Sequence, residues 1–75
     1  MAHTFFMQET TSVQVLFEQG IISRRLHAAL LRNGFTDLRE LSGYNHRHLP
    51  MLPALGPSTL SELTRLLSEK GIALS

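Results

Sequence analysis

Glycine punctuation constrains this chain more than any other feature. Gly20, Gly34, Gly43, Gly56 and Gly71 break the 75 residues into short pieces, and Pro50, Pro53 and Pro57 add further stops. Glycine ends a helix readily because it has no Cβ to clash in the left-handed conformation, and proline cannot donate the hydrogen bond a helix interior needs. Between the breaks the apolar residues recur at helical spacing, and no segment reads as a strand. The sequence predicts a compact all-α domain of four to five short helices.

Residues 1–12 lack periodicity and are expected to form a loose arm, with the domain over 13–75. Val13, Val15, Leu16 and Phe17 form a short apolar run ending at Gly20, read as a turn or short helix packed on the body. The first firm helix is expected from Ile22 or Ser23 to Asn33, with Ser23 as cap and Gly34 as stop. It sets Ile22, Leu26, Ala29 and Leu30 on one face and Arg25, Ala28 and Arg32 on another. Asp37, with Glu40 three residues on, has capping-box spacing for a second short helix, in which Leu38 and Leu41 point inward and which Gly43 ends. Asn45 is the expected cap of a third, through about Met51, with Leu49 inward. The last helix starts at Gly56-Pro57, where a proline in the first position costs no hydrogen bond. Its stripe is Leu60, Leu63, Leu66 and Leu67; Lys70 suits the dipole at its end, Gly71 stops it, and Ile72 and Leu74 can fold back.

A chain of this length makes one domain, with stability of a few kcal/mol at best. Its 43% apolar residues suffice for one core, but a deep catalytic cleft with a supporting shell is not expected. Absence of cysteine removes disulfides and thiolate zinc sites. No run approaches the roughly 20 apolar residues of a membrane span. Met1 to Glu9 has neither the basic region nor the apolar run of a signal peptide, so a cytoplasmic protein with no membrane partner is expected. His46-Arg47-His48 and His27 invite a metal-site reading, yet two histidines two apart on a helix point apart, and no cysteine or nearby carboxylate completes a set. No serine has a histidine and an acid at motif-like spacing, and Asp37 and the glutamates make no acid–base pair. The expectation is no enzyme, no cofactor and no metal.

Net charge of +1 argues against strong nonspecific nucleic-acid binding, but the charge is unevenly placed. Arg24, Arg25, Arg32, Arg39 and Arg47 lie between Ile21 and His48 against only Asp37 and Glu40, and three of the four histidines fall there too. The segment Leu52-Pro53-Ala54-Leu55-Gly56-Pro57-Ser58-Thr59 carries the most chemistry. An apolar residue, a glycine and a helix start bring bare backbone to the surface. The first N–H groups of that helix lack intrahelical partners and carry the positive end of the dipole, which suits a phosphate. Any side chain at Gly56 would hold the phosphate off, and Thr59 can add a hydroxyl. The plainer reading is a good helix start between two packed helices. With Leu52, Leu55, Leu60 and Leu63 the pattern looks like a helix-hairpin-helix nucleic-acid motif.

From about Val13 to Ser75 the chain resembles the C-terminal domain of the bacterial RNA polymerase alpha subunit. The shared landmarks are Arg25 and Leu30, Gly34-Phe35, Leu38 with Glu40-Leu41, Leu49, Pro53, Leu55-Gly56, Leu60 with Glu62-Leu63, Leu66-Leu67 and Gly71. That family binds A/T-rich DNA upstream of promoters across the minor groove and contacts transcription activators. The resemblance implies that Arg25 enters the groove, where a narrow A/T tract concentrates negative potential. It implies that Gly56 gives a backbone N–H to phosphate, that Thr59 stands where the family usually has serine, and that Glu62 orients the arginine and nearby polar groups. It also implies nucleoid association. The sequence departs from the pattern at Ala28 and Ala29, usually asparagine and a small residue, and at Ser58, usually lysine. Missing contacts predict weak binding, near the nonspecific range of about 10⁻⁴–10⁻⁶ M. The chain lacks the assembly domain of a true alpha subunit, and Met1 favours a stand-alone relative over an excised fragment. The alternative is a protein-interaction module of the same fold that binds polymerase or a transcription regulator without touching DNA. Partly exposed Leu31, Tyr44 and Met51 would belong to its partner surface.

Overall fold

The computed structural model describes residues 10–75, so most of the expected arm, residues 1–9, lies outside the described residues. Among the described residues there are three α-helices, α1 (Val13–Glu18), α2 (Arg24–Arg32) and α3 (Pro57–Glu69), and no strand. Two 3-10 turns, η1 (Leu38–Leu41) and η2 (Leu49–Met51), join α2 to α3. The expectation of four to five helices is corrected to three, with two single turns. Gly43, at φ 76°, closes the chain just beyond η1. Pro53 biases the preceding Leu52 to its extended conformation (ψ 141°), which ends η2 after one turn; Pro50, in the first turn, is tolerated. Asn45 is not a helix cap either: its side chain accepts the Arg47 N–H at 2.9 Å, and η2 begins later from His48, which makes no side-chain cap.

The helix boundaries follow from local chemistry. Ser12 and Ser23 cap α1 and α2, their hydroxyls accepting from Val15 N–H at 3.4 Å and Leu26 N–H at 3.1 Å. Asp37 and Glu40 form the expected capping box, on a 3-10 turn. All three helices end alike. In α2 the Phe35 N–H reaches the Leu30 carbonyl at 2.8 Å and the Gly34 N–H reaches Leu31 at 3.0 Å, with Gly34 at φ 83°. This is the Schellman arrangement, which uses a left-handed glycine to satisfy the last carbonyls. Gly20 and Gly71 repeat it after α1 and α3.

One core fills the space between these elements. Leu16, Leu26, Leu30, Leu63 and Leu67 from the helices meet Leu38, Leu41 and Leu49 from the two turns, all at 1% exposure or less. The two single turns thus supply three of these eight leucines. Thr11 and Ser12, at the end of the expected arm, are tied to η1. Thr11 Oγ1 donates to Asp37 Oδ1 at 2.7 Å, and its carbonyl accepts the Leu38 N–H at 2.9 Å. Beyond α3 the chain folds back as expected, with Ile72 and Leu74 against the core and Ser75 N–H on the Tyr44 carbonyl at 2.9 Å. No described helix is long and apolar enough to cross a membrane.

Candidate nucleic-acid interface

The start of α3 is bare backbone. Gly56 occupies the cap position with no side-chain cap, Pro57 follows, and the first intrahelical bond is from Leu60 N–H to the Gly56 carbonyl at 2.8 Å. The N–H groups of Gly56, Ser58 and Thr59 therefore have no partner among the described residues. Together with the helix dipole they form a positive, donor-rich surface.

Gly56 differs from the other glycines. Its φ of −74° is open to any residue, whereas the other four have φ between 72° and 83°. A Cβ built on Gly56 meets nothing within 4 Å, as at the other four glycines, so its φ alone sets it apart. Neither backbone conformation nor packing requires glycine there.

Two hydrogen-bonded clamps fix this helix start against α2. At one end the Glu62 carboxylate accepts from Ser23, Oε2 from the backbone N–H at 2.8 Å and Oε1 from the hydroxyl at 2.7 Å. At the other, Asn33 Nδ2 donates to its own helix at Ala29 O, 2.8 Å, and across to Pro53 O, 2.9 Å. The segment from Pro53 to Glu62 is thus pinned to both ends of α2, with Gly56 between the pins. Arg25 stands two residues past Ser23, in the turn of α2 that Glu62 anchors. It is exposed and has no hydrogen-bond or ion-pair partner among the described residues. Arg25, Ala28 and Arg32 all lie on the exposed face of α2, as their spacing predicts.

The expected site residues therefore differ in kind. Arg25 and Gly56 are exposed and uncommitted, and Glu62 is half-buried and fully engaged with Ser23. Thr59 is buried, at 6% exposure, which leaves little of its side chain for a ligand; Ser58 beside it is exposed. Sequence reading missed Ser23 and Asn33 as fasteners. Ser23 was legible as a helix cap, but its partner lies 39 positions away, and no local pattern carries that pairing. Ala54, at φ 66°, is the other unforeseen feature, a left-handed residue without the glycine such a turn prefers.

The histidines are more occupied than a surface reading suggests. His27 stacks on Phe17, centroids 4.0 Å apart and planes within 8°, with Nε2 at 3.0 Å from Gln14 Oε1. His46 Nδ1 lies 2.8 Å from the Ser75 carbonyl oxygen. Among the described residues no three histidine, cysteine or acidic side chains gather. Tyr44 packs edge-on against Phe35 at 6.0 Å, while Leu31 and Met51 are 43% and 77% exposed. Comparison with protein-family models, with curated proteins and with solved structures gave no match.

Proposed function

We propose that this protein is a transcription-associated DNA-binding module that holds a phosphate on the α3 start and inserts Arg25 into an A/T-rich minor groove. It works by binding, not catalysis, in the manner of the polymerase alpha domain it resembles. The observation that carries the reading is Gly56, a glycine with ordinary dihedrals and open space beside three unpartnered N–H donors. A residue that the fold does not need as glycine is explained by a ligand that comes within van der Waals reach of its backbone. Arg25, free and close to the Ser23–Glu62 clamp, supplies the guanidinium that a narrow groove attracts. Affinity is low, about 10⁻⁴–10⁻⁶ M, because Ala28 lacks the amide and Ser58 the positive charge that the family pattern has at these positions.

The test is a titration of the labelled protein with a short A/T-rich duplex at low salt, read by amide chemical shifts. Shifts cluster at Arg25 and over Gly56–Glu62, and Arg25→Ala removes the preference for A/T over G/C duplex. No shifts at millimolar duplex, or shifts confined to the face opposite Gly56, would overturn the reading. A protein-interaction module binding polymerase or a regulator is the second reading, favoured by exposed Met51 and Leu31. Shifts around those two residues on adding a protein partner, with none from DNA, would select it.

A further inference from the structure

We propose that Arg65 makes a second phosphate contact, so that the strand meeting Gly56 continues along the outer face of α3. This rests on the DNA-binding reading above. A cleft of about 300 Å³ on α3 is lined by Ser58, Ser61, Glu62 and Arg65. Steps of three, one and three residues put these four side chains on one face of the helix, over a rise of about 10 Å.

Long helical side chains lean toward the N-terminus, so the Arg65 guanidinium covers the turn around Ser61 and not the C-terminal end of α3. No hydrogen bond or ion pair holds it among the described residues. Glu62, the acid in the cleft, accepts from Ser23 at 2.7 and 2.8 Å and makes no ion pair with Arg65, although it keeps its negative charge. Ser61 and Ser58 are exposed beside it, and the Ser58 N–H is unpartnered. Guanidinium, hydroxyls and amide thus form a donor row continuous with the helix start. The nearby Glu62 charge disfavours a lone anion. The ligand that fits is a phosphodiester strand held at several points, with Gly56 and Arg65 meeting different phosphates of it.

A phosphate contact without base readout affects salt dependence and leaves sequence preference alone. The experiment measures binding of an A/T-rich and a G/C-rich duplex across a salt series, by anisotropy, for wild type, Arg65→Ala, Arg65→Lys and Arg39→Ala. Arg65→Ala is expected to lower the slope of log K against log salt by about 1, with the A/T preference intact. Arg65→Lys restores the slope, since a phosphate accepts a point charge, and Arg39→Ala, on η1, leaves it unchanged. Unchanged slope in Arg65→Ala, or an equal fall in Arg39→Ala, overturns the second contact while the Gly56 reading stands. Failure of the wild type to bind either duplex overturns both.

Discussion

Glu62 and Ser23 form a two-point clamp between α3 and the first turn of α2. One carboxylate oxygen accepts the Ser23 backbone N–H at 2.8 Å and the other its hydroxyl at 2.7 Å. Ser23 in turn accepts the Leu26 N–H at 3.1 Å, so the hydroxyl caps its own helix while donating to another. Hydrogen bonds to a charged acceptor are stronger than neutral ones, and half-burial of Glu62 limits competition from water.

Removing the carboxylate should therefore cost stability. Glu62→Ala is expected to lower unfolding free energy by about 1–3 kcal/mol in urea denaturation. Ser23→Ala, which also loses the cap, should cost about 1–2 kcal/mol. The double variant should lose less than the sum, by at least about 0.5 kcal/mol. Strict additivity would mean that the clamp is geometry without energy.

The second clamp gives a separate prediction. Asn33 Nδ2 donates to Ala29 O and Pro53 O, and only an amide supplies both protons in that place. Asn33→Asp keeps the shape and removes the donors, so it should destabilise by about 1–2 kcal/mol. In the amide spectrum the change should extend to Ala54–Ser58, because the Pro53 carbonyl is what fastens that loop to α2. Shifts limited to Asn33 and its immediate neighbours would show that the loop holds its position without the clamp.

Ala54 offers a gain in stability. At φ 66° its Cβ crowds the backbone, a conformation that costs an ordinary residue about 1–2 kcal/mol. Ala54→Gly relieves the crowding and returns part of the gain as unfolded-chain entropy, for a net stabilisation of about 0.5 kcal/mol. Ala54→Val, β-branched in the same position, should destabilise by more than 1 kcal/mol, an estimate of about the left-handed penalty itself. The midpoints in urea should fall in the order Gly, Ala, Val.

The local features of this fold were legible and the long-range ones were not. Ser23, Gly34, the Asp37–Glu40 box and Gly56-Pro57 act within four residues, and each stands in the structure where its chemistry predicts. The extent of the middle elements was overread, because Leu38, Leu41 and Leu49 are as buried as helical leucines although they sit on single turns. Apolar spacing reports which residues face inward, and a 3-10 turn repeats the three-residue spacing of a helix. Ser23 with Glu62 and Asn33 with Pro53 pair across 39 and 20 positions, and such pairing leaves no local pattern. Within the candidate site, Arg25 and Gly56 stood out by residue type. The burial of Thr59 did not, since the same position that offers a hydroxyl to the helix start also turns its side chain toward the core.

Gly56 allows stability and binding to be driven in opposite directions. Serine is a better cap than an uncapped position, because its hydroxyl accepts one of the N–H groups that the α3 start leaves free. The φ of −74° accommodates it, and its Cβ enters open space. Gly56→Ser should therefore keep stability or raise it by a few tenths of a kcal/mol in urea denaturation. The same change engages a donor that a phosphate would use and places a side chain in the phosphate's approach. Affinity for an A/T-rich duplex should fall about tenfold, equivalent to roughly 1.4 kcal/mol. A fold defect lowers both quantities together, whereas a glycine kept for a ligand separates them. Equal duplex affinity for wild type and Gly56→Ser, in a protein at least as stable, would remove the phosphate from the α3 start and leave Gly56 as an ordinary helix boundary.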